Sequence, residues 1–598
     1  MELDDYLSQL NNDLQGQIDR LSQTIVSSLQ THISFCPECG TRLEGEVNFC
    51  PNCGTRISEA PSEDIVVSSN SQEPALTGIL LTDTMVLAEK YDCEQSDVKA
   101  LLHKVVEECA KHNIRWYLLD ADDYAPDDLW IDYNDCISDF MEANKIPYGI
   151  KTPVFIIGGD DVIPIPLVED PFGSSDNGRI PCDMCYAFRG NYFSDLWDGD
   201  RSVEESHVRN TVSRLPLEDG PMQSSIENDI LGYFSECIPY YDKGIAVDGV
   251  MMTANASWLP ASTTMSEHLP LVNHDDVEEV TYNDMYVCPP VSPDNSSSMK
   301  CVKQTLKEVG MLLFNLHGTD CKGMSGFYSD GGEAFNMKEL EYCADAKVFN
   351  TVACFGARYS GYDRKDSMVL TALHDKKFLL YAGSLIPVPM TELDVPEGVE
   401  VHEGSGSEHL MPIFCMEQYS GKPMGEAMMK AKLEYFNTFR HMERDDFSLA
   451  TMMMFSLYGN PMLRMQRNEK VLEMSRQMHV LPEIPSATKL LASPVRMKKT
   501  QRLWGKSSAS GALLDEIRSA VDSGLNALQQ GISEGLYEYL GLEPRWLDHI
   551  DFYEYPMGDG TLETGYIYAY NDKSKQFGGK TWVEVDNEGK PRRKYTTK

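Results

Sequence analysis

Short apolar runs recur along the middle of this chain at intervals that a helix can fill. That alternation narrows the fold more than any other feature. "GILLTD" (78–83), "IRWYLLD" (114–120) and "PVFIIGG" (153–159) are separated by helix-length stretches at 95–112 and 130–144. The rhythm resumes with "GVMMTANAS" (249–257), a helix-length stretch at 296–308, "MLLFNLHG" (311–318), "KVFNTVACFG" (347–356) and "KFLLYAGS" (377–384). Strands alternating with helices require crossover connections, which favour parallel pairing. The pattern predicts an α/β fold, a mostly parallel sheet flanked by helices, over about 77–470.

Two of these runs end abruptly in a reactive side chain. One delivers His317 followed by Gly318, the other Cys354 preceded by Ala353. In an open parallel sheet, functional residues collect just past the carboxyl ends of the strands. A cysteine that attacks a carbonyl needs a base to make its thiolate, and a histidine within hydrogen-bond reach does that. The N–H groups of Gly318 and Cys354 would together suit the oxyanion of a tetrahedral intermediate. Taken singly, each residue is ordinary, a buried structural thiol or a satisfied core histidine. Their matched placement points to chemistry.

The flanks have a different character. Tyr6, Leu10, Leu14, Ile18, Leu21, Ile25, Leu29 and Ile33 form one apolar stripe, which predicts an amphipathic helix over 1–34. Such a helix suits docking on its own chain or pairing with a second copy. Residues 35–56 hold two CPxCG knuckles, Cys36 with Cys39 and Cys50 with Cys53. Each brings two thiolates to one ion, and together they complete a tetrahedral structural zinc site with no position open to water. The segment resembles a short zinc ribbon. A Ser-, Glu- and Pro-rich linker at 57–76 follows. The α/β region reads as two subdomains, 77–235 and a catalytic 236–475. Residues 476–598 predict a small α+β appendage, with a long amphipathic helix at 511–541 and then an antiparallel sheet.

Charge and cysteine usage restrict the partners. With 52 Lys and Arg against 93 Asp and Glu, the net charge is −41. That opposes nucleic acid and anionic membranes, since phosphate binding needs clustered cations. Only the tail "KPRRKYTTK" is locally basic. No run of about eighteen apolar residues predicts a membrane span. The N-terminus has neither the basic nor the apolar region of a secretory signal. A cytoplasmic location is therefore expected, with the sixteen cysteines as thiols or zinc ligands.

The two strand ends also match a family. "LLFNLHG" followed by "VFNTVACFG" resembles the caspase-like cysteine peptidases, with the nearest likeness to the gingipain type. "PVFIIGGDDVIPIP", "IPCDMCYAF", "VSRLPL", "GKPMGEAMMKAK" and "SLYGNPMLRM" resemble further elements of that type, in its order, over about 150–465. The resemblance implies a caspase-like fold, Cys354 as nucleophile and His317 as general base and acid. It makes Asp160 the carboxylate that orients the histidine, with Asp161 as rival. It also makes Asp183 the reader of an Arg or Lys at P1, with Arg358 as a rival that would favour an acidic P1. Cys182 and Cys185 look like another knuckle, but no second pair follows them. Unlike the exported gingipains, this chain carries a zinc ribbon, and Gly459-Asn460-Pro461 replaces their Gly-Asp-Pro.

The function implied is a regulated intracellular cysteine endopeptidase acting on protein substrates, with no catalytic cofactor and with a regulatory protein or ligand as activator. Analogy with other bacterial caspase-like proteins suggests stress or antiviral defence signalling. The alternative is an inactive caspase-like scaffold that assembles a complex through its zinc ribbon.

Overall fold

In a computed structural model, the described residues run from 76 to 597 with internal breaks, together with 34–35 and 42–43. The longest breaks are 189–202, 289–308, 392–405, 479–498 and 506–531. The chain forms two compact units, Met1–Glu73 and Pro74–Lys598. In the first, strands β1 (Ser34–Phe35) and β2 (Arg42–Leu43) pair antiparallel and bracket the first cysteine knuckle. The expected N-terminal helix, nearly all of the linker and the four zinc-ligand cysteines lie outside the described residues.

The second unit opens with β3 (Leu76–Thr82), β4 (Ile114–Asp120) and β5 (Pro153–Ile157). The intervening helices are Thr84–Tyr91, Gln95–Ala110 and Trp130–Asn144. Their boundaries follow local chemistry. Asp83 caps the first by accepting from Val86 N–H, and Asp92 ends it in the left-handed region. The second buries Val98, Leu101, Leu102, Val105 and Cys109, one stripe at helical spacing.

A small hairpin follows, β6 (Leu167–Glu169) with β7 (Arg179–Pro181), and then β8 (Thr211–Leu215) and β9 (Val250–Asn255). Next come β10 (Thr281–Tyr282), β11 (Met285–Cys288) and β12 (Met311–Asn315). A second hairpin, β13 (Gly326–Ser329) with β14 (Gly332–Asn336), precedes β15 (Val348–Thr351) and β16 (Leu380–Ser384). Then come β17 (Pro389–Thr391) and β18 (Phe455–Gly459).

Eleven of these strands make one sheet in the order β10-β11-β9-β12-β15-β16-β18-β8-β5-β3-β4. Strands from both expected subdomains share it. The fold is mixed α/β with a mostly parallel central sheet, as the alternation predicts. It departs from parallel at the edge, where β10 and β11 pair antiparallel, and in the middle, where β16 and β18 do. Five parallel strands on one side of that seam therefore run opposite to five on the other. The carboxyl ends of the two blocks point to opposite edges.

An aromatic cluster pins the β13–β14 hairpin to the sheet. The Phe314 ring lies 4.7 Å from Phe335 and 4.9 Å from Phe349, centroid to centroid, both edge-on. After β18 come β19 (Lys499–Gly505), β20 (Leu547–Pro556), β21 (Leu562–Asn571), β22 (Lys580–Asp586) and β23 (Pro591–Thr597). They form an antiparallel sheet in the order β17-β23-β22-β21-β20-β19. The small sheet expected here is present, and the basic tail is its strand β23. The helix expected over 511–541 falls largely outside the described residues, as does the stretch 296–308. Among the described residues, no helix is long and apolar enough to cross a membrane.

Candidate active site

β12 and β15 are neighbours in register, with Phe314 opposite Thr351. His317 and Cys354 each lie three residues beyond that pair, so the sheet itself brings the two strand ends together. Contact there is tight. A Cβ on Gly318 would sit 1.7 Å from the carbonyl oxygen of Cys354, so only glycine fits. Directly after the cysteine, Phe355 adopts a φ of 52°, a left-handed turn that a bulky side chain rarely takes. The chain then doubles back along β16. Phe355 N–H donates to Ile386 O at 3.1 Å and Ala357 N–H to Ser384 O at 2.9 Å. Val388 N–H donates to Cys354 Sγ at 3.0 Å, and the cysteine is only 3% exposed.

His317 is held from several sides. Its backbone bridges that of Tyr328 in both directions, at 2.8 and 2.9 Å. The Trp258 ring packs edge-on, 4.4 Å from the imidazole. Its Nε2 lies 3.2 Å from Oδ1 of Asp330, at the turn between β13 and β14. The other oxygen of Asp330 accepts from Asn255 Nδ2 at 3.1 Å and from Ser257 Oγ. Asp330 N–H in turn donates to Asn255 Oδ1 at 3.2 Å. The His317 hydrogen bond holds this carboxyl down to about 2, helped by Ser257 and Asn255, so it is an anion across the physiological range.

The carboxylate hydrogen-bonded to the histidine is Asp330, where the resemblance implies Asp160 with Asp161 as rival. Asp160 and Asp161 follow β5, in the block of opposite direction. Asp160 Oδ1 accepts from Ile165 N–H at 2.6 Å, closing a turn. Asp161 forms an ion pair with Lys90 at 2.6 Å. Asp330 carried a readable signal, since "GFYSDGGEAFN" flanks a turn-forming Asp-Gly-Gly with aromatic residues, as hairpins do. What the sequence did not reveal is which strand end that turn would face.

Asp183 also stands differently from expectation. Both its oxygens face Arg214, with Nε 2.9 Å from Oδ2 and Nη2 2.7 Å from Oδ1. Arg214 is wholly buried and Asp183 is 7% exposed. The remaining Nη1 of Arg214 donates to the carbonyls of Gly158, Gly159 and Ile163 at 2.8–3.1 Å. A buried bidentate pair of this kind is internally neutral. Asp183 thus offers no uncompensated charge to a substrate, and its visible task is to hold Arg214 under the turn after β5. Cys182 and Cys185, on either side, are buried free thiols.

A cavity of about 360 Å³ lies beside Phe355, the residue after Cys354, and is also lined by Arg358, Leu385, Ile386, Asp160 and Arg179 among others. Arg358 is paired with Asp320 at 3.4 Å and lies 5.2 Å from the Phe355 and Tyr362 ring centroids. Its charge is largely balanced in place.

Comparison with known proteins adds one firm element. Residues 35–57 match the zinc-ribbon domain family. No curated protein matches the chain. A solved structure described as "Structure of Protease" aligns at a TM-score of 0.40 with 11% identity, covering 88% of this chain and 98% of that one. The zinc-ribbon match suits the donor set, because Cys36, Cys39, Cys50 and Cys53 would supply the four thiolates that a tetrahedral zinc ion takes.

Proposed function

We propose that the chain is a cysteine endopeptidase of the caspase-like kind, working through Cys354 and His317. The observation that carries this reading is the contact between two adjacent strand ends, with Gly318 packed on the Cys354 carbonyl. With Nε2 facing Asp330, proton exchange with the thiol falls to Nδ1 of His317. The Cys354 thiol gives its proton to the imidazole, and the thiolate attacks the scissile carbonyl carbon. The resulting oxyanion is received by the N–H groups of Gly318 and Cys354. The imidazolium then protonates the leaving amine, and water hydrolyses the thioester to release the acid and the free thiol. Asp330 keeps the imidazole oriented and stabilises its charged form, as a third member does in triads generally. Zinc, held by the four ribbon cysteines, serves folding alone.

For a basic P1 side chain, the cavity beside Phe355 offers Asp160, one of whose oxygens is already engaged with Ile165 N–H. The test is a peptide-library cleavage profile with wild type, Cys354→Ala and His317→Ala. Either alanine variant should lose cleavage by at least about a thousandfold while staying folded, because nucleophile and base act as one unit. Near-wild-type turnover by Cys354→Ala would refute the reading. Cuts after acidic residues would refute the basic P1 preference alone.

A further inference from the structure

The segment that closes over Cys354 belongs to two sheets at once. Leaving β16, residues 385–388 lie against the nucleophile turn, with Val388 N–H on the sulfur itself. The next residues, Pro389–Thr391, are an edge strand of the C-terminal sheet. Pro389 pairs with Thr597, Met390 with Thr596 and Thr391 with Tyr595. The N–H on the Cys354 sulfur thus belongs to the residue immediately before a strand of another sheet.

The same C-terminal sheet also holds the 172–175 segment, whose Ser175 lines the cavity. The Trp582 and Tyr595 rings lie 5.0 and 5.3 Å from that of Phe172, and Tyr595 lies 5.1 Å from Phe447. Lys580 Nζ donates to the carbonyls of Ser174 and Ser175 at 3.3 and 3.1 Å, and Ser175 lines the cavity. The cationic tail is partly spent within the sheet, since Arg593 pairs with the buried Glu584 at 2.9 Å.

A substrate carbonyl must approach a nucleophile to within about 3–3.5 Å along an open line. A sulfur on a residue 3% exposed, with a backbone N–H directed at it, does not offer that line. Of the ties on this segment, those to Phe355 and Ala357 travel with the nucleophile turn. The tie to β23 does not. We propose that the C-terminal sheet is an autoinhibitory latch on the active site: pairing of β23 with β17 holds residues 385–391 over Cys354. Opening of that pairing admits a peptide substrate. An activator therefore acts by drawing β23 or its sheet away from β17.

The proposal rests on Cys354 being the reactive thiol of the proposed peptidase, but its test does not require cleavage. The rate of Cys354 alkylation by iodoacetamide is read by peptide mass spectrometry on the full-length protein, for wild type and two variants. Tyr595→Ala removes ring contacts that dock β23. Met390→Cys with Thr596→Cys places two thiols at opposed strand positions, where antiparallel partners about 4.5–5.5 Å apart can form a disulfide. Labelling should rise by about tenfold or more in Tyr595→Ala, as the opened fraction grows, and fall below wild type in the oxidised double variant. It should recover when the lock is reduced. Unchanged rates in both variants, or a shift in the same direction in both, overturns the latch. Peptide cleavage that stays absent although labelling shifts as expected would count against the peptidase reading and leave the latch intact.

Discussion

Asp183 shows how little a residue's identity says about its role until its neighbours are known. An aspartate at that place in the sequence has the family's appearance of a substrate reader, but Arg214 takes both its oxygens in the core. Removing one member of a buried pair strands the other charge, at a cost of roughly 3–5 kcal/mol. Asp183→Asn is therefore expected to lower the denaturation midpoint sharply and to depress cleavage of every substrate alike. A folded, stable variant with a selective loss on arginine substrates would restore the substrate-reading role. Asp330 carries the opposite expectation. Asp330→Asn keeps the shape of the turn but loses the anion beside His317, so cleavage should fall by roughly 10²–10⁴-fold with little change in melting temperature. The same group affects acid stability. Its carboxyl is lowered from 3.8 to about 2 in the folded protein, so its contribution is complete above about pH 4 and is lost as pH falls toward 2.

At the scale of elements, the site depends on two strand ends and one turn that cannot be loosened separately. Gly318 meets the backbone of Cys354, not a flexible side chain, so nothing can swing aside to admit a methyl group. Gly318→Ala should separate the ends of β12 and β15 and lower cleavage by roughly a hundredfold or more, given how steeply rate falls with misplacement. A crystal structure or a cleavage assay showing an undisturbed dyad would contradict this. The β13–β14 hairpin acts at the same scale. Its phenylalanines are buried against Phe314 and Phe349, and that packing fixes where Asp330 arrives.

For the whole molecule, the division after Glu73 places the zinc-ribbon segment and the proposed dyad in different units. Zinc binding in a ribbon is coupled to the folding of that ribbon. Treating the full chain with a zinc chelator should speed hydrogen exchange across 35–56 and leave exchange in the central sheet unchanged. Loss of protection in β12 or β15 on chelation would show that the two units are not independent. The C-terminal sheet is different. It is continuous with the segment over Cys354, and changes in it should reach the active site.

Much of this was legible in the residues. Uniformly apolar runs spaced by helix-length stretches specified buried parallel strands, because burial on both faces and crossover connections leave a visible rhythm. The ends of two such runs marked His317 and Cys354, and repeated cysteine knuckles marked the ribbon, since local spacing is enough for both. The tertiary structure alone decided what depends on contacts between distant segments. The fold turned Asp160 onto Ile165 N–H and brought Asp330 to His317 instead. The approach of residues 75 positions apart joined Asn255 to Asp330 beside the imidazole. Arg214 met Asp183, and strand β23 paired with the segment that follows the one over Cys354. Such pairings are selected by the packing of the whole core, and no short stretch of sequence contains that information.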